Sequence, residues 1–505
     1  MSHARRSAAL FAVGYLLLGM AWLGSNPPGA APDEPDHLVK ALGVARFDIG
    51  AKYTGAPLGP GVAGRRNASL ARVVEIPARL QPTGYTCMAF KPALSAGCQH
   101  KVHAATSTAT VAAVTTVGVY PPFVYLPAGL LARAAHSPPA AFRLARLGFL
   151  LVSSLLVFAA ARHLCRWVGP RHLLGLSVGL TPAVVFTMGS CTTSGVEITA
   201  AAAVAAVVLV ALRRPESLDR LATHVTLAAA GATLALSRQL GTVALAVLVL
   251  VGVLGLGLRH SLQRARARLP MFAATASVLA AAALAAVVWE ARYDHPSDTG
   301  SLLSASAGRR FGGVLVGAVN SGVGDFGWLD TQLPTVWVGL WLCAIALLGG
   351  VAVLLGCRRD RWALLCTAAL TALVAYVVYA TVFAPLPAAL QGRHLLPMLM
   401  FPLLLSTAVV VERLPTLGLG VELRGLLLVI APAAAAVQLI ALWCNARRYA
   451  VGVNGPLWFV GSSQWHPPGG WAPWFTLGAA GALLSVWVMI GAAGHGIAGA
   501  VDVER

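Results

Sequence analysis

The sequence predicts an all-α polytopic membrane protein with about twelve transmembrane helices. Three observations carry that prediction. Of 505 residues, 57% are hydrophobic and 11% charged, with a mean hydropathy of +0.74, whereas about 25% of residues are charged in a soluble chain. Apolar runs close to the roughly 20 residues that cross a bilayer recur along the whole chain. The formal charge of +19 comes from 37 Lys and Arg against 18 Asp and Glu, and the arginines gather in short loops between apolar runs. That placement follows the positive-inside rule. The charge therefore orients the spans and faces anionic membrane lipids, and it argues against nucleic acid as a partner.

Taken in order, Met1 to Arg6 is short and basic and Ala8 to Leu23 is apolar, with no small-x-small cleavage site before Asn26. A retained first helix with a cytoplasmic N-terminus is expected. Residues 26–141 form a long first external loop, mixed in polarity and rich in Pro and Gly. It opens on Pro32-Asp33-Glu34-Pro35-Asp36-His37, an unusual density of acid in this chain. Behind it, Leu38, Leu42 and Ala45 share one helical face, which predicts a short amphipathic helix lying on the membrane. Tyr120-Pro121-Pro122-Phe123-Val124-Tyr125-Leu126-Pro127, running on to Ala135, is aromatic and proline-broken and reads as interfacial or re-entrant. Cys87 and Cys98 fall in the same loop. They can close a disulfide if the loop lies outside the cytoplasm, or stand as two unrelated thiols. The other six cysteines sit singly in or beside apolar segments, as packing residues.

Later spans are expected near 142–161, 172–189, 195–212, 221–237, 239–258, 270–290, 334–356, 362–383, 394–411, 424–444 and 472–492. With the first helix this gives a single integral membrane domain with both termini in the cytoplasm. Predicted inner loops carry the arginines around positions 162–171, 213–220, 259–268 and 358–361, while outer connections carry Asp294, Asp298, Asp325 and Asp330. The joint is Ser237-Arg238-Gln239, which must turn tightly outside; one span fewer there would invert everything downstream. External segments remain at 190–195, 291–333 and 445–471, the last rich in Trp and read as an aromatic belt.

Phosphate-loop, nucleophile-elbow and His-Glu-x-x-His motifs are missing from the chain. What remains is a set of charges at the outer ends of spans: Asp33, Glu34, Glu197, Arg238, Glu290, Arg292 and the Gln391-Gly392-Arg393-His394 segment. A charge at a helix end near lipid is costly without a partner or ligand. Acid on one side and arginine on another suit a lipid-phosphate substrate whose acceptor must lose a proton, because the planar guanidinium fits phosphate. Each residue also has a plainer role: Asp33 as a helix cap, Arg393 snorkelling to the interface, Glu197 and Arg238 as a structural ion pair.

The order of first helix, Pro32-Asp33-Glu34, Tyr120-Pro121-Pro122-Phe123-Val124-Tyr125 and Phe142-Arg143-Leu144 resembles the front end of the GT-C superfamily of membrane glycosyltransferases. Gln391-Gly392-Arg393-His394-Leu395-Leu396-Pro397 is similar to the Arg-Tyr-Leu-Leu-Pro segment of that superfamily, with His394 in place of the usual Tyr. More closely, residues 10–475 resemble the domain of unknown function 2142 family, through Thr193-Ser194-Gly195-Val196-Glu197, Phe326-Gly327-Trp328-Leu329-Asp330-Thr331 and the Gln391 segment.

The superfamily resemblance implies a polyprenyl-phosphate sugar donor, an envelope glycan or lipid acceptor, and a plasma-membrane enzyme whose active face is external. It makes Asp33 the general base, with Glu34 orienting it or binding an ion. Arg393, with His394 and Arg238, would stabilise the departing lipid phosphate, supported by Glu197, Tyr120 and Gln391. Some members need a divalent cation; no metal-ligand set is assigned here. Two other classes remain open: a transporter or flippase of a lipid-linked precursor, which predicts mid-span charges and broken helices, and a non-catalytic envelope-assembly protein.

Overall fold

In the computed structural model, which describes residues 3–50, 52–53, 69–103, 105–293, 300–385 and 390–494, each predicted apolar run is helical. Asp294 and Asp298 lie outside the described residues. The helices are α1 (His3–Ser25), α2 (Glu34–Val44), α3 (Leu126–Ala132), α4 (Pro138–Trp167), α5 (Leu173–Gly179), α6 (Pro182–Met188), α7 (Ser194–Arg213), α8 (Leu221–Ala235) and α9 (Gln239–Leu256). They continue with α10 (Leu258–Ala267), α11 (Leu269–Tyr293), α12 (Ala305–Gly324), α13 (Thr335–Leu355), α14 (Arg358–Val378), α15 (Gly392–Thr416), α16 (Gly420–Val451) and α17 (Ala472–Gly494).

Ten described helices are long and apolar enough to cross a membrane, and an eleventh span is a bent pair, against the twelve straight spans expected. Two segments make the difference. The run at 172–189 is broken by 82° between Gly179 and Pro182. Thr181 precedes a proline and so leaves the helical region, while Pro182 starts the next helix without needing its missing N–H. Side chains take the carbonyls freed there: Tyr15 OH reaches Ser177 O at 3.4 Å, Trp341 Nε1 reaches Val178 O at 3.1 Å and Gln438 Nε2 reaches Leu180 O at 2.8 Å.

The second difference is α8. Its 15 residues rise only about 22 Å, short of the roughly 30 Å hydrocarbon core. It nevertheless carries the chain across the bundle. Arg213, ending α7, pairs with Asp360 at 2.6 Å and Glu412 at 2.8 Å at one end, while Arg238, just before α9, reaches Ser194 at the start of α7. The turn at Arg238 is therefore as tight as predicted, and α7 and α9 start at the same end. Central to the bundle is α7, buried from Ser194 to Leu212.

The first loop differs from expectation in two ways. Residues 52–53, 72–77 and 110–115 form a three-stranded antiparallel sheet, β1 (Lys52–Tyr53), β2 (Arg72–Pro77) and β3 (Thr110–Thr115), with Val74 opposite Ala113. The inward side chains of β2, Val74 and Ile76, are fully buried. They belong with α2 and α3 to one core, and α2 is not a surface helix. Leu38, Leu42 and Ala45 are at most 1% exposed, and Lys40 on the opposite face is also buried, donating to Gly118 O at 2.9 Å and Ile49 O at 3.2 Å. The sheet covers the helical face that the sequence assigned to solvent.

In the second external segment, the 20-residue helix α12 precedes a short hairpin of β4 (Asp325–Phe326) and β5 (Thr331–Gln332). In the third, Trp443, Phe459, Trp465, Trp471 and Phe475 pack as a small core against the joined cysteines Cys87 and Cys98.

Candidate functional site

The loop between α1 and α2 has almost no freedom, because side chains from distant elements claim its carbonyls in succession. Arg146 donates to Leu23 O (3.0 Å), Asn26 O (2.8 Å) and Pro27 O (2.6 Å). Gln99 takes Pro28 O at 2.6 Å, Trp328 takes Gly29 O at 2.9 Å and Tyr449 takes Ala30 O at 2.6 Å. Glu34, which is fully buried, closes the set. It accepts two bonds from Arg146 at 2.7 and 2.8 Å, one from Cys191 N–H at 2.8 Å and one from Ala31 N–H at 3.3 Å. Glu34 is thus spent on holding the loop.

Asp33 sits at the end of this clamp in the left-handed region, at φ 59° and ψ 12°. A non-glycine residue there is strained and persists only when its surroundings hold it. Its carboxylate makes no capping bond to α2. It lies 46% exposed, 3.9 Å from the Arg393 guanidinium. Arg393, 16% exposed, also feels Arg238, Tyr120 and Glu197 electrostatically. Arg238 bonds Ser194 Oγ at 3.0 Å and Tyr120 OH at 3.2 Å, lies 5.3 Å over the Tyr120 ring, and stands 3.6 Å from Glu197. Asp33, Arg393, Arg238, Glu197 and Tyr120 are therefore one cluster.

His394 is turned elsewhere: its Nδ1 accepts the Gln391 N–H at 3.1 Å, closing the start of α15, and its ring packs on Phe383. His37, by contrast, enters the cluster. Its Nδ1 lies 2.7 Å from Tyr125 OH and its Nε2 3.4 Å from Thr192 Oγ1. Burial, then the charges of Arg238 and Arg393, hold the His37 pKa well below its usual range, so the ring is neutral.

One residue before His37, Asp36 is driven up to about 6 by burial, against the Thr116 N–H bond at 2.7 Å, with Asp33 adding repulsion. A folded-state pKa above the unfolded one gives stability that is present below about pH 4 and lost as pH rises through about 6. Asp36→Asn is accordingly expected to melt higher than wild type at pH 8, with the gap closing between pH 6 and 4. A gap independent of pH in thermal unfolding would contradict this.

Beside the cluster lies a cleft enclosing about 500 Å³ of space not filled by protein atoms, part of it open to solvent. Ala183, Phe186, Ile198 and Leu396 give it an apolar floor, and Thr192, Ser321, Asp325, Gln391 and Arg393 give it polar walls. Three buried polar atoms on these walls have no hydrogen-bond partner among the described residues: Asp325 Oδ1, Gln391 Oε1 and Arg393 Nε. Burial, with Asp330 adding to it, pushes Asp325 up to about 6. Asp330 on the same hairpin is fully engaged. It accepts Trp328 N–H at 3.2 Å and Thr331 Oγ1 at 3.1 Å, and pairs with the buried Arg448 at 2.8 Å. Gly327, at φ +61°, lets that hairpin turn.

One close approach shapes the cleft wall. A Cβ on Gly392 would fall onto the Gly322 backbone and come within 2.7 Å of Ala318 O, so α12 and α15 meet backbone to backbone. The bond from Gly392 N–H to Ser321 Oγ at 2.9 Å depends on that approach. Among the described residues no group of three or more His, Cys, Asp and Glu is arranged to hold a metal ion.

Sequence reasoning missed Arg146, Tyr125 and the separate roles of Asp325 and Asp330. Arg146 carried one signal, an arginine one turn beyond Arg143 inside a predicted apolar span, which is a functional flag by default. No curated protein and no solved structure matches the chain. A family model described as "Predicted membrane protein (DUF2142)" matches residues 16–402, which include every residue of the acid–arginine cluster and the cleft. The chain belongs to the DUF2142 family of membrane proteins.

Proposed function

We propose that this protein is a membrane glycosyltransferase that moves a sugar from a polyprenyl-phosphate donor to a cell-envelope glycan or lipid acceptor. One observation carries the reading: the strained, half-exposed Asp33 carboxylate stands 3.9 Å from Arg393, beside a cleft with an apolar floor and polar walls. The lining suits the chemistry of an amphiphile with a phosphate head, its chain toward Phe186 and Leu396 and its head toward Arg393. The Asp33 end then faces outward from the plasma membrane and both termini face the cytoplasm. The arginines at the opposite end support that orientation.

In the reaction, Asp33 takes the proton of the acceptor hydroxyl as that oxygen attacks the anomeric carbon. The bond from this carbon to the phosphate oxygen breaks with inversion, and its electron pair leaves on the lipid phosphate. Arg393 meets the developing charge directly and Arg238 adds to the positive field. Glu34 acts through the loop as a positioning residue, Glu197 and Tyr120 hold Arg238, and Gln391 with His394 fixes the start of α15.

A transporter or flippase is the second reading, and the broken span at 170–188 is what favours it. Side chains already take the carbonyls at that break, which leaves it little to offer a passing substrate. The test is Asp33→Asn, expressed at wild-type level in a deletion background, followed by envelope glycan analysis. Loss of a general base costs about 10²–10⁴-fold in rate, so the product should disappear. A wild-type glycan profile from the variant would remove Asp33 from the chemistry.

A further inference from the structure

We infer that Asp325 is a specificity-determining residue of the cleft, which accepts hydrogen bonds from sugar-ring hydroxyls of a ligand whose phosphate lies against Arg393. The inference rests on the donor reading above and extends it to the part of the donor that is recognised. Two acids share the β4–β5 hairpin, and only one has a structural task. Asp330 is consumed by Arg448, Trp328 N–H and Thr331. Asp325 lines the cleft with Oδ1 buried and without a hydrogen-bond partner among the described residues. A buried acceptor left unmatched is costly, and folded proteins seldom keep one unless water or a ligand completes it.

The choice of ligand follows from what else faces the same space. Arg393 offers a donor, Nε, that is also unmatched. A ligand that satisfies both walls must bring an anion to the guanidinium and hydroxyl donors to the carboxylate. A bare lipid phosphate does only the first, and it places a second anion near Asp325, which is repulsive. A lone carboxylate beside an arginine is a poor cation site. A phosphate-linked sugar supplies both groups on one ligand, a few bonds apart.

The experiment uses the full chain in detergent micelles, with farnesyl phosphate and a panel of farnesyl phosphoryl hexoses and pentoses as probes, read by titration calorimetry. A hydrogen bond to a charged group corresponds to roughly 10- to 100-fold in affinity. Wild type should bind at least one sugar-bearing probe tenfold or more tighter than farnesyl phosphate. Asp325→Ala should lose that increment while binding farnesyl phosphate at least as tightly as wild type does, which also shows that the variant is folded. An increment that survives in Asp325→Ala, or no increment in wild type with any sugar, overturns the inference and leaves the phosphate reading standing. No binding of farnesyl phosphate to wild type overturns the donor reading and this inference together.

Discussion

Arg146→Leu is expected to yield little folded protein. Its guanidinium is 1% exposed and makes five hydrogen bonds, two to Glu34, one to a carbonyl in the last turn of α1 and two to carbonyls of the α1–α2 connection. Removing it leaves a fully buried carboxylate without its counter-charge. Breaking a buried pair from one side costs about 3–5 kcal/mol, against a total stability of roughly 5–15 kcal/mol for a typical protein. Three carbonyls also lose their donors. Replacing both charges, as Arg146→Leu with Glu34→Leu, should recover part of the loss, because no unpaired charge then remains. Size-exclusion profiles and melting curves of the two single variants and the double variant check this. A melting point for Arg146→Leu within a few degrees of wild type would show that the clamp does not hold the loop.

The contact between α12 and α15 supports the second large effect, an asymmetric one. Gly392→Ala drives a methyl into the Gly322 backbone, and helix backbones cannot yield as a flexible side chain can. Overpacking of this kind costs about 1–3 kcal/mol or more. Here it also separates the cleft wall that carries Ser321 from the one that carries Arg393. Gly322→Ala, on the other side of the same contact, brings its methyl no closer than 3.4 Å to Gly392 Cα, an ordinary packing distance. The first variant should melt well below wild type and lose activity, and the second should behave like wild type. Equal behaviour of the two would mean that the helices are not in backbone contact.

Much of the bundle was legible because its signal is local. Span length, hydropathy and arginine placement all lie within short windows, and they place α1, α4, α7, α9, α11 and α13 to α17, with ends off by as much as seven residues at α16, which runs on through Arg448 and Tyr449 into the segment expected to be a loop. Reading failed where tertiary partners decide. The strand Arg72–Pro77 alternates buried and exposed residues, but the pattern covers six residues inside a loop of mixed polarity. The same missing sheet is why α2 was expected on a surface: Leu38, Leu42 and Ala45 do form one face, and only the sheet reveals that the opposite face is covered too. Helix α12 was missed because glycines and Arg309–Arg310 dilute its apolar face. At the site, sequence brought Asp33, Arg393, Arg238, Glu197 and Tyr120 to one end, which is where they cluster. The superfamily resemblance ranked Asp33 ahead of Glu34, but the physical ground for separating them was not legible, because it depends on Arg146, 112 positions away.

The carbonyl clamp also has a consequence for the order in which the protein is made. The segment carrying Asp33 leaves the ribosome well before α16 does. Two of the groups that fix it, Asn445 on Asn26 and Tyr449 on Ala30, are each 419 residues further along the chain. Both lie in α16, beyond the residues 16–402 that match the family. Until that helix is inserted, the Ala30 carbonyl lacks its donor and the backbone of Asp33 lacks part of what holds it in an unfavourable conformation. This loop is therefore made long before it can set, and a partly inserted chain holds the acid without the geometry that positions it.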